Sequence, residues 1–321
     1  MDVILHLGAH RTGTSSLQLW MVQNAALLEQ SGIMVWGPER TRAGLFSGLI
    51  KRPDLVGPAD VLAARRTATR LRMEIDALAD RGVQRLIISE ENVLGAMPVC
   101  YAQDTLYPDL HGRLERVADA FGPCLTGAAL SIRRYDMWWA SVLSVMLNRG
   151  QPRPDAARLA RLAASPQGWR RVIEGVRGAF GLPLTVWPFE ALAGRHAAQF
   201  AGMVPGMALP AGLYDCGRVQ NAGPSGAALA RALVALDGAG RALDQGEDGH
   251  YMPFSTPERG AMAARYLADL AWLRSAPPGV SYIEKDAGRT GAHPSAVTEE
   301  EGAFHDDQKR GLGETRAEGA A

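Results

Sequence analysis

Short apolar runs alternate with stretches of helical periodicity along most of this chain. The runs suit buried parallel strands and lie at residues 3–7, 33–36, 84–89, 125–132 and 184–187. Between them, apolar residues recur at the spacing of an amphipathic helix, most clearly over residues 60–80. Strands that alternate with helices in this way predict an α/β fold with a mostly parallel sheet and helices on both of its faces.

The alternation of strand and helix patterns ends near residue 275. Beyond it, the sequence has two adjacent prolines, a run of glutamates at 299–301 and an alanine-rich end. Such a composition does not favour a packed core. We therefore expect a single α/β domain over residues 1–275 and a poorly ordered tail over residues 276–321.

The first strand leads into a glycine-rich turn and then into a helix. Gly8 and Gly13 have the spacing of a Walker A loop, but Thr14 stands where that motif has its lysine, and the cation comes earlier, at Arg11. A strand, a glycine-rich turn and a helix N-terminus can direct backbone N–H groups and the positive end of the helix dipole at one anion. This stretch predicts a phosphate-type site, with an ordinary βα turn as the alternative.

Two adjacent carboxylates, Glu90 and Glu91, follow the strand at residues 84–89. In open α/β sheets ligands collect beyond the carboxyl ends of the strands, where a carboxylate can act as a general base. Adjacent residues of an extended chain face opposite ways, so only one can point into a site. We expect that residue to be Glu91, with Glu90 as the alternative.

Arg133 ends a strand, and Ser141 follows eight positions later on the next helix. The helix places Ser141 about two turns beyond the strand end. An arginine and a hydroxyl in this arrangement can bind one phosphate from two sides. The neighbouring Arg134 is out of register with this pair, and we expect it to form an ion pair with an acidic residue.

These motifs, and their order along the chain, resemble those of the sulfotransferases that use 3′-phosphoadenosine-5′-phosphosulfate (PAPS). The stretch from Gly8 to Leu17 resembles their 5′-phosphosulfate loop, although the family usually has lysine at the position of Arg11. The interval from Arg133 to Ser141 resembles their 3′-phosphate motif. The residues that the resemblance implies for binding PAPS are Arg11, Thr12, Gly13, Thr14, Ser15, Ser16, Arg133 and Ser141, with Arg218 and Asn221 as additional candidates.

The resemblance implies in-line transfer of the sulfuryl group from PAPS to an acceptor hydroxyl, without a metal. Adenosine 3′,5′-bisphosphate would leave, Glu91 or Glu90 would accept the proton of the hydroxyl, and Arg11 would stabilise the charge on the leaving oxygen. A saccharide or another small molecule is the expected acceptor. The alternatives are a small-molecule kinase of the P-loop type, which the missing lysine disfavours, and a non-catalytic nucleotide-binding module.

Composition adds exclusions to this interpretation. The formal net charge is zero, which gives no electrostatic support to a nucleic-acid partner. No apolar run reaches the roughly eighteen residues of a membrane span. Three widely spaced cysteines indicate neither a disulfide framework nor a zinc site, and they fit a reducing cytoplasm.

Overall fold

The computed structural model describes residues 1–215, 223–237 and 250–284, which lie within one compact unit spanning Met1–Arg289. These residues form a six-stranded sheet in which every pair of neighbouring strands is parallel. The strands are β1 (Asp2–His6), β2 (Ile33–Trp36), β3 (Arg85–Ser89), β4 (Gly127–Ile132), β5 (Leu184–Pro188) and β6 (Val280–Tyr282). Their order across the sheet is β2-β3-β1-β4-β5-β6. The predicted α/β fold with a parallel sheet is confirmed.

Helices occupy most of the connections between strands. They are α1 (Thr14–Gln23), α2 (Ala25–Gln30), α3 (Pro38–Arg40), α4 (Pro58–Asp80), α5 (Met97–Ala102), α6 (Leu110–Phe121), α7 (Tyr135–Asn148), α8 (Ala156–Ala164), α9 (Trp169–Phe180), α10 (Phe189–Leu192), α11 (His196–Met203), α12 (Gly226–Asp237) and α13 (Thr256–Arg274). Single turns of 3₁₀ helix lie at Pro53–Leu55, Glu91–Val93 and Gly122–Cys124, and a kinked turn of π type lies at Thr41–Leu45.

Both faces of the sheet are covered by helices. Successive strand residues point to opposite faces, so Val3 and Leu5 of β1 join the larger buried cluster, to which α4, α6, α7 and α9 contribute. Ile4 packs against the smaller cluster, which contains Trp20 of α1 and Phe200 of α11. This two-sided burial explains why the strands read as nearly continuous apolar runs.

One sequence-based boundary is wrong. The edge strand β6 pairs with β5 inside the segment assigned to a poorly ordered tail, so ordered structure continues past residue 275 to residue 284.

Asn24 separates α1 from α2. The amide of Asn24 donates to the carbonyl oxygens of Trp20 and Tyr214, and this side-chain bonding competes with the helical ladder.

Three connections meet at one edge of the sheet. β1 is central, with His6 aligned with Ser89 of β3 and with Ala129 of β4. The segments that leave these three strands therefore emerge beside one another. They carry the glycine-rich loop, the paired glutamates and Arg133, which makes this edge the candidate site.

Candidate functional site

The glycine-rich loop between β1 and α1 enters the left-handed backbone region at three positions. Gly8, Arg11 and Gly13 all have positive φ angles, of 41°, 63° and 77°. A Cβ atom built on Gly8 would lie 2.5 Å from Cγ2 of Thr14 and 2.7 Å from its Oγ1, so the loop closes only around a glycine. Arg11 is one of the few non-glycine residues in the left-handed region, where strain often marks a functional turn.

Hydroxyl groups fold the loop onto itself. Oγ1 of Thr12 donates to the carbonyl oxygen of Ala9 at 2.6 Å, and Oγ1 of Thr14 donates to the same oxygen at 3.1 Å. Gly13, which has no side chain, is the N-cap residue of α1. The positive end of the α1 dipole therefore faces the loop.

Side chains from three other segments fix the loop in place. The backbone N–H of His10 donates to the hydroxyl of Tyr107 at 2.8 Å, and the indole N–H of Trp138 donates to the carbonyl oxygen of His10 at 2.7 Å. Nη1 of Arg133 donates to the carbonyl oxygen of Arg11, also at 2.7 Å. Sequence analysis missed Tyr107, since nothing in its local pattern distinguishes it from an ordinary core aromatic.

The loop and the arginine–serine pair of α7 are in direct contact. Nε of Arg11 donates to Oγ of Ser141 at 2.7 Å, and the guanidinium of Arg133 lies over the ring of Phe189 at 4.7 Å. The two predicted phosphate-binding motifs are thus on the same side of the sheet. Arg11 itself lies with the residues expected to bind the 3′-phosphate. Arg134 pairs with Asp136 at 2.8 Å, as the sequence indicated.

Positive charge is concentrated where these elements meet. Burial, followed by the charges of Arg133 and Arg149, lowers the pKa of Arg11 to about 10. Burial also lowers the pKa of Arg133, whose buried Nε has no hydrogen-bond partner among the described residues. Desolvated guanidinium groups close together destabilise one another, and a bound anion would relieve both their repulsion and their desolvation.

The carboxylate of Glu90 is buried and stabilises the turn that follows β3. Its side chain is fully buried and accepts hydrogen bonds from Oγ1 of Thr41 at 2.5 Å, from Nε and Nη2 of Arg42 at 3.1 and 2.9 Å, and from the backbone and side-chain nitrogens of Asn92 at 3.0 and 2.9 Å. The carboxylate is saturated with donors and caps the 3₁₀ turn that follows β3.

Glu91 lies on the open side of the same turn. Its side chain is 15% exposed, accepts from Nε2 of Gln18 at 3.0 Å and pairs with Nη2 of Arg42 at 2.7 Å. Burial opposes its ionisation, but the charge of Arg42 and the hydrogen bond from Arg42 act in the opposite direction, and the pKa of Glu91 lies below the ordinary value. Glu91 is therefore an ionised carboxylate beside the glycine-rich loop. Sequence analysis had no signal for the contacts of Gln18 and Arg42.

A buried polar chain connects Glu91 to β1. Nε2 of Gln18 donates to both Glu91 and Oγ of Ser89, so the Ser89 hydroxyl is left to donate to Nδ1 of His6 at 2.9 Å. His6 is stacked on Trp187 with ring centroids 5.8 Å apart. Burial lowers the pKa of His6 to about 4, with a smaller opposing effect of Glu91. His6 is consequently neutral, with its proton on Nε2.

The burial of His6 predicts loss of stability in mild acid. Between the ordinary pKa of 6.5 and the folded value of about 4, the unfolded chain binds a proton at His6 that the folded chain does not. Lowering the pH through this window should therefore favour unfolding, by about 3 kcal/mol in total. Urea unfolding of the wild type and of His6→Gln at a series of pH values would measure it. Parallel pH dependences for the two proteins would contradict the prediction.

The candidates Arg218 and Asn221 lie outside the described residues. The structure resumes at Gly223, which lies beside the cationic cluster: a Cβ atom built there would be 3.6 Å from Nη2 of Arg11 and 3.7 Å from Oγ of Ser144. The contacts of Arg218 and Asn221 with a nucleotide stay a prediction.

Comparisons of the chain with protein-family models, curated proteins and solved structures find no match. The fold and the site thus define a parallel α/β protein with an N-terminal glycine-rich loop and a cationic cluster at the carboxyl edge of its sheet. Among the described residues, no group of three or more His, Cys, Asp or Glu side chains could hold a metal ion. None of the described helices is both long and apolar enough to cross a membrane.

Proposed function

We propose that this protein is a PAPS-dependent sulfotransferase that transfers a sulfuryl group to an acceptor hydroxyl. The observation that carries the proposal is the contact between the glycine-rich loop and α7, through Arg11 and Ser141 at 2.7 Å and through Arg133 and the loop backbone at 2.7 Å. A nucleotide with phosphates at both its 5′ and 3′ positions needs two adjacent anion sites. Few other metabolites combine that pair of charges with a nucleoside.

The two anion sites differ in character. At the loop, backbone N–H groups and the N-terminus of α1 provide dipoles that suit the 5′-phosphosulfate. At α7, Arg133 and Ser141 provide a guanidinium and a hydroxyl that suit the doubly charged 3′-phosphate. Glu91 is the base for the acceptor, because Glu90 is saturated by Thr41, Arg42 and Asn92.

In the proposed reaction the acceptor oxygen attacks sulfur while its proton passes to Glu91. An oxygen–sulfur bond forms, the bond between sulfur and the bridging oxygen of the phosphate breaks, and adenosine 3′,5′-bisphosphate leaves with the electron pair of that bond. The positive charges and dipoles around the loop are already in place for the charge that develops on the bridging oxygen. A saccharide or small-molecule acceptor fits this scheme.

A P-loop kinase is the second candidate and is less well supported. Thr14 occupies the position of the lysine that contacts the β- and γ-phosphates of ATP, and the cation of the loop, Arg11, is directed to Ser141 instead. With Arg11 in this position, the site favours a nucleotide that carries a negatively charged group at its 3′ position. A non-catalytic nucleotide-binding protein would share the binding properties of the proposed enzyme and differ only in the absence of transfer.

The deciding experiment compares nucleotide binding by calorimetry. We expect adenosine 3′,5′-bisphosphate and PAPS to bind, and ATP with Mg²⁺ to bind much more weakly. Arg133→Ala should lower the bisphosphate affinity by about 10- to 100-fold, since it removes a charge-assisted contact worth roughly 1.5–3 kcal/mol.

The matched control is Arg134→Ala. It removes the neighbouring arginine, which is committed to Asp136, and should leave the affinity nearly unchanged. Equal affinity for ATP and for the bisphosphate, or equal losses in the two variants, would contradict the proposed nucleotide site.

A further inference from the structure

Adjacent side chains of the glycine-rich loop serve opposite ends of the site. Arg11 reaches α7, where it donates to Ser141. His10 is held by Tyr107, and the groups that influence its ring include Glu91 and Asn92 of the 3₁₀ turn after β3. The cation expected to assist the departure of the bridging oxygen thus lies at the 3′-phosphate end in this structure. His10 and Glu91, the proposed base, influence each other electrostatically.

Hydrogen bonds fix the tautomer of His10. The Tyr107 oxygen accepts the backbone N–H of His10 at 2.8 Å, and it lies 3.2 Å from Nδ1 of the same residue. The hydroxyl proton of Tyr107 has no acceptor among the described residues other than Nδ1, so we infer that Tyr107 donates it to Nδ1. The ring of a neutral His10 therefore carries its own proton on Nε2.

The groups around His10 keep its ring neutral and orient its N–H. Burial lowers its pKa; Glu91 raises it, Arg42 and Arg11 lower it, and a side-chain hydrogen bond with Asn92 raises it. The residues that influence the ring from the turn after β3 are Glu91 and Asn92.

We propose that His10 is a catalytic residue of the sulfuryl transfer, whose neutral imidazole donates the Nε2 proton in a hydrogen bond to the sulfuryl oxygens of PAPS. The inference rests on the proposed function and adds His10 to it as the hydrogen-bond donor to the sulfuryl group. Tyr107 is the positioning residue that fixes the tautomer, and Arg11 binds at the 3′-phosphate end.

The role of His10 involves no net proton transfer to or from its ring. Glu91 takes the proton of the acceptor, the new oxygen–sulfur bond forms, and the bond to the bridging oxygen breaks. The hydrogen bond from Nε2 stays on the sulfuryl group throughout and orients it in line between the attacking and leaving oxygens. A fixed neutral donor contributes in this way without the desolvation cost of a second buried cation.

Nitrogen NMR of the histidine ring tests the inference without knowledge of the acceptor. In protein with ¹⁵N-labelled histidine, assigned with His10→Gln, we expect a protonated Nε2 and an unprotonated Nδ1 for His10. PAPS should shift the Nε2 resonance, whereas adenosine 3′,5′-bisphosphate, which lacks the sulfuryl group, should shift it much less. Equal shifts with both nucleotides, or a ring protonated on Nδ1, would overturn the proposal.

Kinetics and binding of variants give a second test. In a sulfate-transfer assay with a panel of phenols and monosaccharides, His10→Ala should lower kcat by about 10²- to 10³-fold and change PAPS affinity less than threefold. His10→Gln, whose amide N–H can take the place of Nε2–H, should recover part of that loss. Tyr107→Phe should lower kcat about tenfold and lower the nucleotide affinity by a smaller factor, because the lost hydroxyl also accepts the backbone N–H of His10.

The outcomes separate the two proposals. If the wild type binds PAPS and transfers sulfate, and His10→Ala does so at the wild-type rate, the role of His10 is wrong and the proposed function stands. If the wild type binds neither PAPS nor the bisphosphate, both are wrong. Loss of PAPS binding in His10→Ala, with Arg11→Ala unaffected, would reverse the roles assigned to the two side chains.

Discussion

Glu91→Gln is expected to lower the turnover of sulfate transfer by about 10²- to 10⁴-fold and to leave the affinity for PAPS within a few-fold of the wild type. The magnitude is that of a general base removed from a step in which a proton leaves the acceptor. The wild-type carboxylate is well prepared for this role, because the charge of Arg42 helps to hold its pKa below the ordinary value despite its burial.

The substitution of Glu91 is also expected to lower the stability of the fold. The measurement must separate this loss of stability from the loss of turnover. The carboxylate accepts hydrogen bonds from Gln18 at 3.0 Å and from Arg42 at 2.7 Å, so the new amide nitrogen would face one of these two donors. We expect a loss of about 1–3 kcal/mol in the free energy of unfolding. Turnover should therefore be measured well below the melting temperature, with circular dichroism to confirm the folded state.

Glu90→Gln is the matched control for Glu91→Gln. The chemical change is the same at the adjacent residue, where the carboxylate is buried and accepts from Thr41, Arg42 and Asn92. We expect Glu90→Gln to cost more stability and to lower the turnover of the folded protein less than tenfold. Wild-type turnover in Glu91→Gln, or loss of turnover in a stable Glu90→Gln, would contradict the assignment of the base.

The features that the sequence could predict depend on local pattern. Apolar runs located β1 to β5, and the glycine spacing located the loop, because both follow from the periodicity and conformational freedom of short segments. The pleat of a strand also gave a reason why Glu90 and Glu91 should differ. Their environments do differ: one carboxylate is saturated and the other borders the loop.

The features that the sequence could not predict depend on contacts between distant segments. Tyr107 lies 97 positions from His10, and Arg42 lies 49 positions from Glu91, yet these residues set the tautomer and the charge state of their partners. The edge strand β6 was missed for a similar reason, since three residues gain their order only by pairing with β5. Pattern within a window carries no information about such pairs.

Gly8→Ala is expected to have the largest effect on the loop: about 2–5 kcal/mol of stability and most of the affinity for adenosine 3′,5′-bisphosphate. Two costs add. A side chain at φ 41° is strained by roughly 1–2 kcal/mol, and the new Cβ atom would lie 2.5 Å from Cγ2 of Thr14, an overlap that costs about 1–3 kcal/mol. The loop can relieve the overlap only by moving Thr14, the first residue of α1.

Two variants separate these costs by urea unfolding and calorimetric titration. Gly82→Ala imposes a similar strain, at φ 84°, but nothing lies within 4 Å of its Cβ position, so it should cost only about 1–2 kcal/mol and leave binding intact. Adding Thr14→Ser to Gly8→Ala removes Cγ2 and should recover part of both losses. Equal destabilisation by Gly8→Ala and Gly82→Ala, with binding unchanged in both, would mean that close packing inside the loop does not form the anion site.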